Sequence, residues 1–520
     1  MRSRYTPVFI HSQTLGLVLN TATQVVSDDP AAPGVPSRGW TIAENCHFYE
    51  NEIRKIYGWR RHIGGSPEVT GTPSLFQTFE WADGTKSGCI GTTTRLYKLE
   101  AAGTLTQLNA VDFTGGLRNR WSADIYLNTA VFTNKTDVIQ KWVGNAATCA
   151  ALGGTPPKAV TLAVGADHLM LGNINSGSEA PYSCANSDLS DIEGWNFAGT
   201  GEADLFPITE SSGPIARVIR LGGNLLVAYK GNSIHTLHYI NPDIVFYLQN
   251  IVSKMGAFSG WSVLDLDQRH FFMGQDDFYI FNGTPELLPV GTRIWQDFLT
   301  KVRSDSRDIV WSFHDQKRKQ IIIGFRSVDG NNTDDKALLW SYAHNAYSYI
   351  AWPFSGAGYV PKIVGTSATW DAQTTSWDSH TDPWDTAAGL ADLNLMAGDT
   401  SGNVWIAFDE STALLNGSTA INMRLESGDF AHAGWDKVAQ LGGMLLDVPV
   451  DTGSSPLQLY IGTRDNLMAS ISWNGPFNYS GNGRIDCMAA GRFIRYAFVK
   501  NGGHVRIRSY APLIQGRGYY

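Results

Sequence analysis

Few residue patterns in this chain could do chemistry. Two pairs of adjacent carboxylates, Asp276-Asp277 and Asp334-Asp335, fall in Gly- and Asn-rich stretches. Glycosidic cleavage needs two carboxylates facing one bond across several ångströms. Adjacent aspartates in a turn instead cap local backbone N–H groups. His235 and His238 sit in an apolar run, where a structural role is the expectation. Gly84-Thr-Lys-Ser lacks the upstream glycine that a phosphate-binding loop requires. There is no HExxH and no GxSxG. These patterns point to a protein that is not an enzyme, with no cofactor, no metal site and no small-molecule substrate.

The five cysteines, Cys46, Cys89, Cys149, Cys184 and Cys487, are odd in number, widely spaced and in no CxxC. That argues for small buried hydrophobes in a chain made in a reducing cytosol. Neither a secretory leader nor an apolar run of membrane-spanning length is expected from the sequence. The net charge of −8 is unevenly spread. Residues 1–62 carry seven Lys/Arg against five Asp/Glu, and 484–520 carry seven against Asp486 alone, which leaves −16 on 63–483. An acidic body is a poor ligand for phosphate backbones, whereas basic ends suit a partner that the body would repel.

The elements that position these residues are β-hairpins. Hydrophobic residues make up 43% of the chain and charged ones 17%, with 54 Gly and 60 aromatic residues (17 Trp, 20 Tyr, 23 Phe), an all-β composition. An apolar strand, a tight polar turn and a second strand recur at 89–99, 130–142, 225–237, 271–283 and 395–408. Weaker copies begin at Leu169 and Ile321, the latter partnered by 337–342. Neighbouring copies lie about 40 to 57 residues apart, the last pair about 74. Units of four short strands at that period are propeller blades, six or seven of them here. One short helix is predicted at 294–302.

The expected organisation is an N-terminal arm and platform start over 1–65, a β-propeller body over 66–410 with an insertion near 327–392, and a small C-terminal β domain over 411–520. Pro30, Pro33 and Pro36 mark the arm, and the stretch from Trp40 to Trp59 is expected beside the C-terminal domain. Within the insertion, Trp370-Asp, Trp377-Asp and Trp384-Asp recur every seven residues in Ser/Thr/Asp/Pro-rich sequence. They read as a surface loop packing on itself or as an aromatic strip for docking a partner. Arg506 and Arg508 alternate with Val505 and Ile507, so that strand presents one basic and one apolar face; with Arg492 and Arg495 it forms a candidate basic interface.

An ordered series of residues resembles the tail nozzle and tail-hub proteins of short-tailed, podovirus-type bacteriophages. It runs from Trp40 through Ala43-Glu-Asn45 and Glu52-Ile-Arg-Lys-Ile-Tyr-Gly58-Trp to Gly91-Thr-Thr-Thr-Arg-Leu-Tyr-Lys. It continues with 180–195 ending at Trp195, Gly213-Pro-Ile, Leu225-Leu-Val-Ala-Tyr-Lys, 274–283 and the repeated Trp-Asp pairs. The resemblance covers about 40–410. It implies a structural virion protein in the tail, made in the host bacterial cytoplasm. Its partners would be copies of itself in a homohexamer, the head-to-tail adaptor, tail fibres or spikes, and DNA in transient, non-specific passage during ejection. An acidic channel wall would let that DNA slide. The alternative is a carbohydrate-binding or glycan-cleaving propeller, which needs convergent carboxylates and aromatics. Asp399-Thr-Ser-Gly-Asn-Val-Trp405 resembles the Asp-box turn of sialidase-like propellers, a structural feature even in the enzymes.

Overall fold

The computed structural model describes residues 6–7, 10–11, 25–26 and 40–519 except 51, 64–66, 101–102, 176–178, 331–332, 363–392, 416–418 and 432–436. Each recurring hairpin is the middle pair of a four-stranded antiparallel sheet, formed where Gly, Asn or Asp permits the turn between apolar strands. There are seven such sheets among the described residues. Six are consecutive in the chain, at 73–107, 122–151, 158–207, 215–253, 264–289 and 311–351. The seventh combines Gly356–Pro361, Leu393–Gly398 and Val404–Asp409 with an outermost strand from the N-terminal region, Gly58–Arg61.

The buried apolar residues fall into seven clusters, each bridging one pair of neighbouring blades, and the one between the fifth and sixth blades extends on into the C-terminal strands. Trp81 of the first sheet meets Trp142 of the second edge-on, with ring centres 4.9 Å apart. Val131 and Leu162 share the next cluster, Met170 and Val218 the one after. Tyr229 contacts Phe272, and Phe271 contacts Trp340. Trp311 and Trp405 share the sixth cluster, and Phe76 and Met396 the seventh, which joins the last sheet to the first. Seven interfaces for seven sheets close a ring: the body is a seven-bladed β-propeller.

Closure is tight at the axis. A Cβ added to Gly358, on the innermost strand of the seventh blade, would lie 2.0 Å from the Phe76 carbonyl oxygen of the first. At the rim, the buried Trp59 ring is wedged against Trp352 (5.5 Å), Phe354 (5.3 Å) and Phe408 (6.0 Å). A short N-terminal strand thus supplies the outermost strand of the last blade and fastens it through an aromatic knot.

Of the remaining strands, Cys46–Tyr49, Glu52–Lys55, Val505–Ile507 and Val450–Asp451 form a separate four-stranded sheet, and most of the others form a sandwich. One sheet runs Trp40–Glu44, Asn422–Ser427, Phe493–Asn501, Gln458–Arg464 and Ser472–Asn478. The facing sheet pairs Lys437–Asp447 with Ser509–Tyr519, and Thr6–Pro7 and Ile10–His11 add to its edge. Trp40 and Phe498 of one sheet pack on Tyr510 of the other at 6.0 and 5.2 Å. Ala346–Ala351 of the sixth blade pairs with Trp40–Glu44, so one eleven-stranded sheet runs from propeller to sandwich.

Three expectations change in detail. Segment 1–65 is divided, Trp40–Glu44 serving the sandwich, Cys46–Tyr49 and Glu52–Lys55 the separate four-stranded sheet, and Gly58–Arg61 the propeller. The insertion near 327–392 is narrower, because Lys336–Ser341, Ala346–Ala351 and Gly356–Pro361 are blade strands within it; its rest, 363–392, lies outside the described residues. The helix at 294–302 is present as Trp295–Lys301, with Trp295 and Phe298 buried.

Candidate functional site

The paired carboxylates diverge. Asp276 accepts a hydrogen bond from the Tyr279 hydroxyl at 2.9 Å, whereas Asp277 turns inward to accept from Thr292 Oγ1 at 2.8 Å, and burial pushes its carboxyl up. Asp334 is buried beside Arg326 (3.2 Å) and Arg120 (3.7 Å), while Asp335 accepts from the Ser327 backbone N–H at 2.8 Å. Neither pair presents two oxygens to a common point, so both act as turn and core ties. Asp399 accepts from the backbone N–H groups of Ser401 and Asn403 and from Trp405 Nε1 at 3.0 Å, which makes the Asp-box-like turn a structural clasp.

One arrangement with a catalytic outline was not legible in the sequence. Ser233 Oγ lies 2.9 Å from His235 Nε2, and Glu210 Oε2 lies 3.8 Å from His235 Nδ1. A serine hydrolase uses this order of groups. Here the Glu210 distance is too long for a hydrogen bond, and both Ser233 and His235 are fully buried. Burial and the Lys230 ammonium push the imidazole down to about 4, too weak a base for neutral pH. Lys230 Nζ itself donates to the Ile208 and Ser211 carbonyls. The group pins the loop leaving the third blade onto the fourth.

Charge on the innermost strands comes to a net of only −1. The seven innermost strands bear Glu80, Asp124, Asp265 and Asp315 against Lys158, Arg217 and Arg220. The outermost blade strands bear Asp204 against Arg60 and Arg61, so the acidic surplus of the body lies on neither the innermost nor the outermost strands. Where the innermost strands begin, Arg120 is buried, donating to the Ser355 carbonyl and lying over the Trp311 ring. Burial lowers its guanidinium to about 10.

The four C-terminal arginines have separate fates. Arg495 is not a free basic surface: its guanidinium bonds Glu426 (2.9 Å) and Asp429 (2.8 Å), and Arg464 also binds Asp429. An apolar strand bearing one arginine reads as an exposed stripe, but here the carboxylates arrive from two strands more than sixty residues earlier. Arg508 pairs with Glu52 at 2.7 Å and keeps an exposed side chain. Arg506, half-buried, touches the Tyr57 hydroxyl at 3.5 Å. Arg492 is half-buried, its Nε enclosed without a hydrogen-bond partner. Trp370, Trp377 and Trp384 lie outside the described residues.

Among the described residues no three His, Cys, Asp or Glu side chains converge as metal ligands, and no helix is long and apolar enough to cross a membrane. All five cysteines are free thiols, four of them buried.

No family model and no curated protein matches the chain. Solved structures that it resembles include the extracellular domain of a one component system from B. thetaiotaomicron, at 12% identity and a TM-score of 0.41, covering 67% of this chain and 40% of that one. Another is the WD40 domain of Neurospora crassa Pan2, at 8% identity and 0.36, covering 69% and 98%. A third is streptogramin B lyase, at 9% identity and 0.39, covering 67% and 97%. The chain thus spans less than half of the first of these.

Proposed function

We propose that this chain is a structural, non-enzymatic protein of a short bacteriophage tail: a nozzle subunit. Six copies would ring the distal end, bind the head-to-tail adaptor and the fibres, and enclose the channel through which DNA leaves. The observation that carries the reading is the ordered series of nozzle-like residues between 40 and 410. Its members fall at separate stations of one body. Glu52–Lys55 pairs with Val505–Ile507, Trp59 fastens the ring, Gly91 to Lys98 and 274–283 are hairpins of the first and fifth blades, and 180–195 holds the third strand of the third blade and the turn after it.

Physical chemistry supports a scaffold role. A propeller continuous with a sandwich through one sheet resists relative motion of its parts, as a load-bearing ring subunit must. The innermost strands are close to neutral, so a DNA path with negative walls would run between subunits rather than along the propeller's own axis, past acidic loops that repel phosphate. Mass spectrometry of purified particles of the phage whose genome encodes the chain tests the reading. The chain should appear in stoichiometry with the adaptor; its absence from intact particles overturns the proposal.

A further inference from the structure

The seam between the seventh blade and the sandwich holds a cavity of about 180 Å3. Strand Glu52–Lys55 pairs with Val505–Ile507, placing Arg54 directly opposite Arg506, and both line the cavity with Lys55, Tyr57 and His504. Like charges opposed across a sheet repel unless something neutralises them. Arg54 is neutralised by Glu50 (2.8 Å) and Glu52 (2.9 Å). Arg506 has the long contact to the Tyr57 hydroxyl and, farther off, Glu52, already bonded by Arg54 and Arg508, and Glu410, an exposed wall residue.

Lys55 is the stronger anomaly. It is 1% exposed, and its Nζ donates to the Gly503 carbonyl at 2.8 Å. Among the described residues no carboxylate lies within ion-pair distance of it. Its neighbour Lys500 is committed to Asp451 and the Ser455 carbonyl. An ammonium has three donors, and burying one without an anion is costly. Burial and the charge of Lys500 accordingly pull Lys55 down to about 8. His504, whose ring packs on Tyr57 at 4.7 Å, has its Nδ1 enclosed with no hydrogen-bond partner.

The backbone holds this geometry tightly. Gly503 has φ +55°, and a Cβ there would lie 1.9 Å from the Thr452 carbonyl oxygen. Thr452 N–H donates to the His504 carbonyl at 2.9 Å, and His504 N–H returns a bond to Thr452 Oγ1 at 3.0 Å. The Gly-Gly turn thereby fixes the Lys55 acceptor and the imidazole together.

We propose that this cavity is a binding site for a phosphate group, held by Lys55 and Arg506 as charged donors and His504 as a third. The volume is below the roughly 300–1,000 Å3 of a drug-sized pocket and suits one tetrahedral oxyanion. A dianion with several acceptors matches two cations and an imidazole better than a carboxylate does. The bound group is a free ion or the terminal phosphate of a small ester.

Calorimetric titration of the full chain at low ionic strength, with inorganic phosphate, glycerol phosphate and acetate as separate titrants, tests the site. One phosphate per chain is expected, with acetate binding at least about tenfold more weakly. Arg506→Gln and His504→Asn should each weaken phosphate by about tenfold while leaving the circular dichroism spectrum unchanged. Affinity should fall between pH 7 and about pH 9 as Lys55, surrounded by Arg54, Lys500, His504, Arg506 and Glu410, loses its proton. Glycerol phosphate binding as well marks an ester site; inorganic phosphate alone marks a free-ion site. No saturable phosphate binding, acetate binding as tightly, or unchanged affinity in folded Arg506→Gln overturns the proposal.

Discussion

Trp59→Ala removes the ring that fastens the N-terminal strand to the last blade. The strand is four residues long and is held by backbone pairing to Val404–Asp409, by the Arg60–Asp409 ion pair at 2.6 Å, and by the Trp59 contacts with Trp352, Phe354 and Phe408. Arg60 has a half-exposed side chain, so its ion pair contributes at most about 1 kcal/mol. Trp59 is completely buried, and deleting a buried tryptophan side chain costs about 3–5 kcal/mol. The aromatic contact therefore decides closure. Trp59→Phe should recover much of the loss, since the indole Nε1 has no hydrogen-bond acceptor to forfeit. The assay is urea unfolding followed by far-ultraviolet circular dichroism, with limited proteolysis around residues 56–62 to report local release. Trp59→Ala should lower the first transition by at least about 3 kcal/mol, Arg60→Ala by less than about 1, and the exposed Trp473→Ala by almost nothing. Equal effects of Trp59→Ala and Arg60→Ala, or a protected 56–62 segment in Trp59→Ala, refute the closure argument.

Three further outcomes are expected. Burial holds the His270 imidazole down to about 4, so below pH 6.5 the unfolded chain takes up a proton that the folded chain refuses. Stability should decline towards pH 4 by up to about 1.4 kcal/mol per pH unit from this group. His270→Gln should flatten that slope in denaturant titrations, even though buried carboxylates such as Asp124, pushed up by burial, act in the opposite sense. Arg495→Ala takes one of two arginines from each of the buried Glu426 and Asp429, which keep Arg424 and Arg464, so it should cost about 1.5–3 kcal/mol in unfolding experiments; full stability with lost assembly would instead restore Arg495 as an interface residue. Gly358→Ala puts a methyl group against the Phe76 carbonyl, so the melting temperature should drop, whereas Gly116→Ala, where a Cβ meets nothing within 4 Å, should leave it unchanged.

The blade strands were legible because their signal is local. Each of the hairpins read from apolar runs and Gly/Asn/Asp turns, including the weaker ones at Leu169 and Ile321, proves to be the centre of one blade. The helix near 294 was legible for the same reason. What joins the blades was not. Gly58–Arg61 belongs with a strand about 345 residues later, and no local pattern assigns it there. The same distance hides the candidate sites. Arg506 and Arg508 do alternate with buried Val505 and Ile507 as the strand pattern required, yet only pairing with Glu52–Lys55 shows which arginine is neutralised and which faces a cavity. Lys55 looked like one more charge in a polar stretch; its burial comes from a turn 448 residues away. Ser233 and His235 lie in one strand, but Glu210 and Lys230, which make the group a pin, meet them only in the folded ring.

The most direct test of a nozzle role is an electron cryo-microscopy reconstruction of the intact phage tail. The account expects six copies of a seven-bladed propeller with its attached sandwich, arranged as a ring at the distal end with acidic loops facing the lumen. A tail whose distal ring is built by another chain, with this one absent from the density, would contradict it.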